Sequence, residues 1–274
     1  MHHLARFTVH YGDELRFAGD GLPPPERISL ATRYGSVRAY LHRGSRPGHH
    51  VHLHGGAFLM RHPRMDEFWC RYLVATTGVS VVNVDFRAGP YVRYPVAQHE
   101  SHDAAAQVAA WGGPVSVGGF SSGGGLAAAT CLQARDAGSF RPVLQVLGVP
   151  ALDLASPVER HGGMISPQLR GLVRRVYFPD PATRSEPYAS PLLADDLTGL
   201  PPAVVLTAER DSLRPDGERW AQRLREVGIA VVEDLTPGAD HYFLNHDLPR
   251  ARRTMAMVAG EIDRRLAEAA DRHG

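Results

Sequence analysis

From about residue 27 onward, short apolar runs alternate with longer segments of helical period. Residues 27–32 and 36–41 each alternate polar with apolar positions, and Gly35 lies between them. This pattern predicts an antiparallel hairpin at a sheet edge. The pattern then predicts a strand leading into His54, a helix over 64–77 and a strongly apolar strand over 79–84. Further helices are predicted over 98–111, 122–137, 216–227 and 249–269, and further strands over 115–118, 142–149, 203–207 and 229–233. Continuously apolar strands separated by helices mean a mostly parallel central sheet with helices on both faces, an α/β fold.

Residues 153–202 break this rhythm. At about 50 residues rich in Pro, Arg and small polar types, the stretch is too long for a plain loop. It predicts a helical lid inserted above the sheet, over about 153–190, with one amphipathic piece at 168–177. The expected organisation is one domain over 1–274 with a polar N-terminal segment, 1–25, that ends in three prolines.

Composition narrows the chemistry. The chain has 274 residues, is 43% apolar and carries a net charge of +1 without charge blocks, so nucleic acid is not an expected partner. Every Lys/Arg position is Arg. With no Lys there is no Schiff-base lysine, no P-loop G-K-[ST] and no S-x-x-K hydrolase motif. Cys70 and Cys131 fall in predicted helices and are expected to be buried small apolar residues, not a disulfide framework. Neither a leader-like apolar core in the first 17 residues nor an apolar run near 18 residues is present. The expectation is a cytoplasmic protein without stable membrane association.

The organising stretch is Gly118-Gly119-Phe120-Ser121-Ser122-Gly123-Gly124-Gly125, between a predicted strand and a predicted helix. Strand, glycine-bracketed serine and helix in that order form a nucleophile elbow, G-x-S-x-G. The turn leaves no room for side chains at Gly119 and Gly123, and it holds Ser121 at the positive end of the helix. A serine hydroxyl needs a base, and the base needs an orienting acid, here expected later in the chain, each after a strand. Asp211 follows strand 203–207 and His241 follows the last strand; Glu209 and Asp216 are rival acids. Asp240 is not taken as the acid, because neighbours in sequence point apart. Oxyanion donors are expected from the N–H groups of Gly55 and Gly56, after the strand that ends at His54, and from that of Ser122. A competing metal site would draw two zinc ligands from His50, His52 and His54, which alternate along that strand. His99-Glu100-Ser101-His102 is one residue short of H-E-x-x-H.

From residue 37 onward the chain resembles the hormone-sensitive-lipase-like esterases of the α/β-hydrolase superfamily. The likeness rests on His54-Gly55-Gly56-Ala57-Phe58, on Asp85-Phe86-Arg87-Ala88-Gly89-Pro90 with Tyr94-Pro95-Val96-Ala97, and on Ser190-Pro191-Leu192-Leu193 running to Pro201-Pro202. Asp211-Ser212-Leu213-Arg214 and Asp240-His241-Tyr242-Phe243 complete it. The resemblance implies the α/β-hydrolase fold, Ser121 as nucleophile, Asp211 as acid, His241 as base, and Gly55, Gly56 and Ser122 as oxyanion donors. It implies hydrolysis of small-molecule carboxylic esters through an acyl-enzyme, with no metal or organic cofactor. A deacetylase or lactone hydrolase with the same triad, and a non-catalytic receptor on the same scaffold, are the alternative readings. Oligomeric state is open, a homodimer included. Two departures stand out: Phe120 takes the place of a carboxylate in the family's elbow, and Ala57 that of the third glycine of its oxyanion motif.

Overall fold

Strands buried on both faces must send alternate side chains into two separate cores. The computed structural model of the protein describes residues 13–157 and 163–272. Its sheet has eight strands: β1 (Glu26–Thr32), β2 (Gly35–His42), β3 (His49–Leu53), β4 (Ser80–Asp85), β5 (Val115–Phe120), β6 (Gln145–Gly148), β7 (Ala203–Ala208) and β8 (Val231–Thr236). Their order is β1-β2-β4-β3-β5-β6-β7-β8. β2 pairs antiparallel with β1 and β4, and every other pairing is parallel. The helices are α1 (Glu67–Thr77), α2 (Val96–Ala109), α3 (Ser122–Ala137), α4 (Pro167–Val176), α5 (Arg214–Glu226) and α6 (Leu248–Asp271).

The alternation is visible strand by strand. Val115 and Val117 of β5 and Val205 of β7 face one core, which includes Ala104 of α2, Leu126 of α3 and Trp220 of α5. Phe120, Val204 and Leu206 face the other, with Leu73 of α1 and Val258 and Ile262 of α6. On β3, Val51 and Leu53 belong to the first core. Cys70 and Cys131 are free and buried, one in each core.

The chain passes from β3 through α1 outward to β4, then returns through α2 to β5 on the other side of β3. The strand order reverses there, and in such sheets the crevice at the carboxyl ends of the two strands is the natural ligand site. Gly55 follows β3 and Ser121 follows β5. Between β6 and β7 a long connection carries α4 and two short 3-10 turns, Pro181–Ser185 and Pro191–Leu193. Val173, Tyr177 and Phe178 of this connection join the first core, where Phe58 stacks on Tyr177 at 5.3 Å between ring centroids.

Three boundaries differ from the sequence pattern by more than two residues. The helix expected from residue 64 begins as a 3-10 turn, Pro63–Asp66, before α1. The strand expected at 142–149 is confined to β6. The strand expected at 229–233 is displaced to β8, because the N–H groups of Gly228 and Ile229 close the end of α5 on Arg225 O and Leu224 O. Residues 1–12 of the expected N-terminal segment and 158–162 of the expected lid lie outside the described residues.

Gly148 closes the second core. A Cβ there would overlap Cδ1 and Cε1 of Phe120, whose ring is 4% exposed and has no free direction to move. Gly148→Ala is expected to cost about 1–3 kcal/mol, read as a lower denaturant midpoint. Introducing Phe120→Leu alongside it should recover part of that loss. An equal loss with and without the Phe120 ring would refute the steric account.

Candidate active site

The elbow follows from local crowding. A Cβ on Gly123 would overlap the Leu53 carbonyl oxygen, and one on Gly119 would overlap Leu53 O and the Gly123 carbonyl, so the turn can be this tight only with glycine. Ser121 adopts φ 57° and ψ −120°, a region a β-substituted residue occupies only when its surroundings force it. Its N–H donates to Gly148 O at 2.8 Å, and its carbonyl accepts from Gly125 at 3.1 Å and from Ala151 at 3.1 Å. Three backbone hydrogen bonds thus hold the strained residue.

The three polar residues expected to act together meet. His241 Nε2 lies 2.9 Å from Ser121 Oγ, and His241 Nδ1 lies 2.8 Å from Asp211 Oδ2. The Asp211 side chain is fully buried and its other oxygen accepts from Leu213 N at 3.0 Å. An ionised carboxylate only accepts, so the imidazole proton belongs on Nδ1 and Nε2 is left to accept from the serine hydroxyl. The rival acids are engaged elsewhere. Glu209 Oε2 accepts from Gly238 N, and Asp216 Oδ2 accepts from Leu152 N and Asp153 N. Asp240 takes the His241 N–H at 2.7 Å and the Met164 N–H at 2.9 Å, a backbone tie and not a ring contact.

The loop after β3 differs in one respect from the expectation. Gly55 N–H, expected to face an oxyanion, donates to Asp66 Oδ2 at 3.3 Å. The next two N–H groups, of Gly56 and Ala57, have no acceptor among the described residues, and Ala57 lines a pocket with Ser121 and Ser122. Ser122 is the first residue of α3, whose N–H has no partner within the helix. Ala57 and Phe58 both have φ above 50°, so this loop is tightly wound as well.

Asp66 was not legible in the sequence, where it reads as one acidic residue at the start of a helix. It is fully buried, and Oδ2 also receives His52 Nε2 at 2.9 Å. His54 Nδ1 bonds Gly55 O at 2.6 Å, and its ring stacks on Phe86 at 4.3 Å. Burial holds the His54 pKa down at about 4, so the ring is neutral and Nδ1 donates. The three histidines of the competing metal reading are thus tied separately, His50 to Ser116 Oγ, His52 to Asp66 and His54 to the backbone. Among the described residues no three His, Cys, Asp or Glu side chains are grouped as metal ligands.

The pocket beside Ser121 is lined chiefly by Phe58, Leu154, Ile165, Leu169, Val173 and Leu213, so side chains of α4 form one wall. Phe120, which departs from the family's elbow, points away from this pocket. Its ring packs edge-on against Trp69 and His52 in the second core.

Asp216 ties α5 to the chain that enters the pocket, at an electrostatic cost. Burial raises its pKa from 3.8 to about 6, partly opposed by the Leu152 N–H. The folded protein therefore keeps this proton between pH 4 and 6, where the unfolded chain releases it, and stability falls as pH rises through that window. Asp216→Asn retains an acceptor for both N–H groups and removes the ionisation. It should be more stable than the parent by about 1–3 kcal/mol at pH 7, with the gap closing toward pH 4. Denaturant midpoints at pH 4, 5, 6 and 7 test this; a gap independent of pH would contradict it.

Comparison with known proteins places the chain in a family. A family model described as alpha/beta hydrolase fold matches residues 50–245. An arylesterase of Saccharolobus solfataricus is 33% identical over 227 residues, 77% of this chain and 72% of the relative. An ethyl acetate hydrolase of Pseudomonas putida is 31% identical over 231 residues, 79% of this chain and 73% of the relative. Among solved structures, an esterase of Pyrobaculum calidifontis superposes with a TM-score of 0.83 at 34% identity, covering 89% of this chain and 86% of that one. The carboxylesterase EstE1, cloned from a metagenomic library, superposes with a TM-score of 0.86 at 27% identity, covering 97% and 98%. On the family match and these relatives, the chain belongs to the hormone-sensitive-lipase-like esterases of the α/β-hydrolase fold, a family of carboxylic-ester hydrolases.

Proposed function

We propose that this esterase cleaves small carboxylic esters through an acyl-enzyme formed on Ser121. The observation that carries the reading is the unbroken line from Ser121 Oγ through His241 to Asp211, with links of 2.9 and 2.8 Å. Ser121 Oγ attacks the ester carbonyl while His241 Nε2 takes its proton. Asp211 keeps the imidazole in the required tautomer and stabilises the imidazolium. The negative charge on the tetrahedral oxygen is received by the N–H groups of Gly56, Ala57 and Ser122, at the positive end of α3. His241 then protonates the departing alkoxide, and a water deprotonated by the same nitrogen releases the acid. Gly55 has a supporting role: bound to Asp66, it fixes the two N–H groups that follow it.

The pocket is lined mostly by apolar side chains, with Ser121 and Ser122 among its lining residues. Short-chain esters, which ask least of that lining, are the substrates to test first.

Ser121→Ala should lower kcat on a short-chain nitrophenyl ester by about 10⁴- to 10⁶-fold. A fluorophosphonate should label Ser121 of the parent protein with time. An unchanged rate in the variant, or reversible ligand binding without labelling, would overturn the proposal. Asp66→Asn weakens the acceptor of the Gly55 N–H while leaving Ser121, His241 and Asp211 intact. A roughly 10- to 100-fold fall in kcat with little change in KM is expected, the size of effect a small misplacement of catalytic groups produces. A variant that stays folded with its kcat intact would remove Asp66 from the account.

A further inference from the structure

The pocket beside Ser121 holds one cation that the mechanism does not use. Arg170, on α4, lines it together with Asp153 among mostly apolar side chains. The guanidinium makes one hydrogen bond, from Nη2 to the Asp153 carbonyl at 3.2 Å, and no carboxylate lies within salt-bridge distance among the described residues. Arg174, one helical turn along, is likewise without a carboxylate partner. It donates to the Ser156 carbonyl, and its Nε is buried without an acceptor. Burial, and after it the like charges of Arg170 and Arg184, lower the pKa of Arg174, with Asp153 opposing the shift.

The carboxylates that face this pair are occupied by other donors. Asp153 Oδ1 accepts from Ala155 N and Ser156 N, Oδ2 accepts from Ser156 Oγ, and Arg219 stands 4.0 Å from Oδ2. Asp216 Oδ2 is taken by the two backbone N–H groups at Leu152 and Asp153. The Arg170 charge stabilises the Asp216 carboxylate through space, but neither carboxylate is joined to the guanidinium by a hydrogen bond. Instead the planar fork, which matches a carboxylate with two parallel hydrogen bonds, is held by a single carbonyl at the edge of the space where a substrate must sit.

We propose that Arg170 selects esters that carry a carboxylate in the group occupying this pocket. The inference rests on the ester-hydrolase reading of Ser121 and names the substrate class of that site. The bound carboxylate would take the guanidinium N–H groups that the protein leaves unpaired and offset the crowding of like charge between Arg170 and Arg174. An apolar wall formed by Ile165, Leu169 and Val173 around it would strengthen the ion pair by keeping water away.

The test compares charged and neutral esters of equal shape. Monoethyl succinate is paired with ethyl succinamate, which puts the charge on the acyl side. O-acetylglycolate is paired with O-acetylglycolamide, which puts it on the alcohol side. The ratio of kcat/KM for charged over neutral ester is measured in the parent, Arg170→Gln and Arg170→Lys. In at least one pair the ratio should fall by about 10- to 100-fold in Arg170→Gln, as loss of a charged hydrogen bond predicts, and recover partly in Arg170→Lys. The pair affected identifies the side that occupies the pocket. A ratio that Arg170→Gln leaves unchanged in both pairs overturns the inference. The Ser121→Ala protein separates the two failures: if it hydrolyses the neutral esters as fast as the parent, the hydrolase reading itself falls. If it is inactive while the ratios do not respond to Arg170, only the selection by Arg170 is lost.

Discussion

The turn between β5 and α3 rests so closely on the end of β3 that the backbone itself is the packing surface. Leu53 O lies where a side chain at Gly119 or Gly123 would have to go. That contact forces Ser121 into its positive φ and lifts its hydroxyl out of the sheet. It also brings the loop after Leu53 against the start of α3, which sets the unpaired N–H groups of Gly56 and Ala57 near the serine. The exposed serine hydroxyl and the free N–H groups beside it are therefore two consequences of one close approach. The strain at Ser121, of the order of 1–3 kcal/mol for a residue in such a region, is offset by three hydrogen bonds to its own backbone.

A second constraint works beneath the loop. Burying polar groups favours partnering them, and on the α1 side of β3 the bonds they make run mainly to one another, while His52 Nδ1, Asp66 Oδ1 and Asn83 Oδ1 make none among the described residues. Asp66 stands at the junction, receiving His52 from the sheet and Gly55 from the loop through the same oxygen. The 3-10 turn that carries Asp66 is itself held by Asn83 Nδ2, which donates to Pro63 O at 2.8 Å. The position of the loop after β3 thus depends on β3, β4 and the entry to α1. Phe120 belongs to the same layer: where the family has a carboxylate, its ring fills the space between Trp69, His52 and Gly148.

Much of this was legible in the sequence, and the physical reason is clear for each part. Strands buried on both faces leave continuous apolar runs, so the sheet and its alternation with helices could be read directly. Ser121, Asp211 and His241 could be read because each follows a strand and because glycine, proline and histidine mark their turns. The hydrogen bond from Gly55 to Asp66 was not legible, since a glycine after a strand signals a close approach of backbone but not which N–H stays unpaired. That is decided by Asp66, eleven positions away, whose burial depends on tertiary packing. The shift of β8 had the same kind of cause. Residues 229–230 are apolar enough for a strand, but the end of α5 needed the N–H groups of Gly228 and Ile229.

Asp216 shows how the scaffold trades stability for position. Burying a carboxylate there raises its pKa and costs folding free energy at neutral pH. In return its oxygen gathers two consecutive N–H groups, of Leu152 and Asp153, where the chain leaves β6 and enters the long connection. An apolar residue at 216 would leave those N–H groups buried and unpaired, a comparable loss without the fixed geometry. Leu192 N donates to Leu152 O, and Ser190 Oγ accepts from Leu154 N, so the same few residues also anchor the far end of the connection. The wall of the pocket that α4 supplies is therefore held at both ends by groups packed against the first core, and its shape follows from those anchors more than from the helix itself.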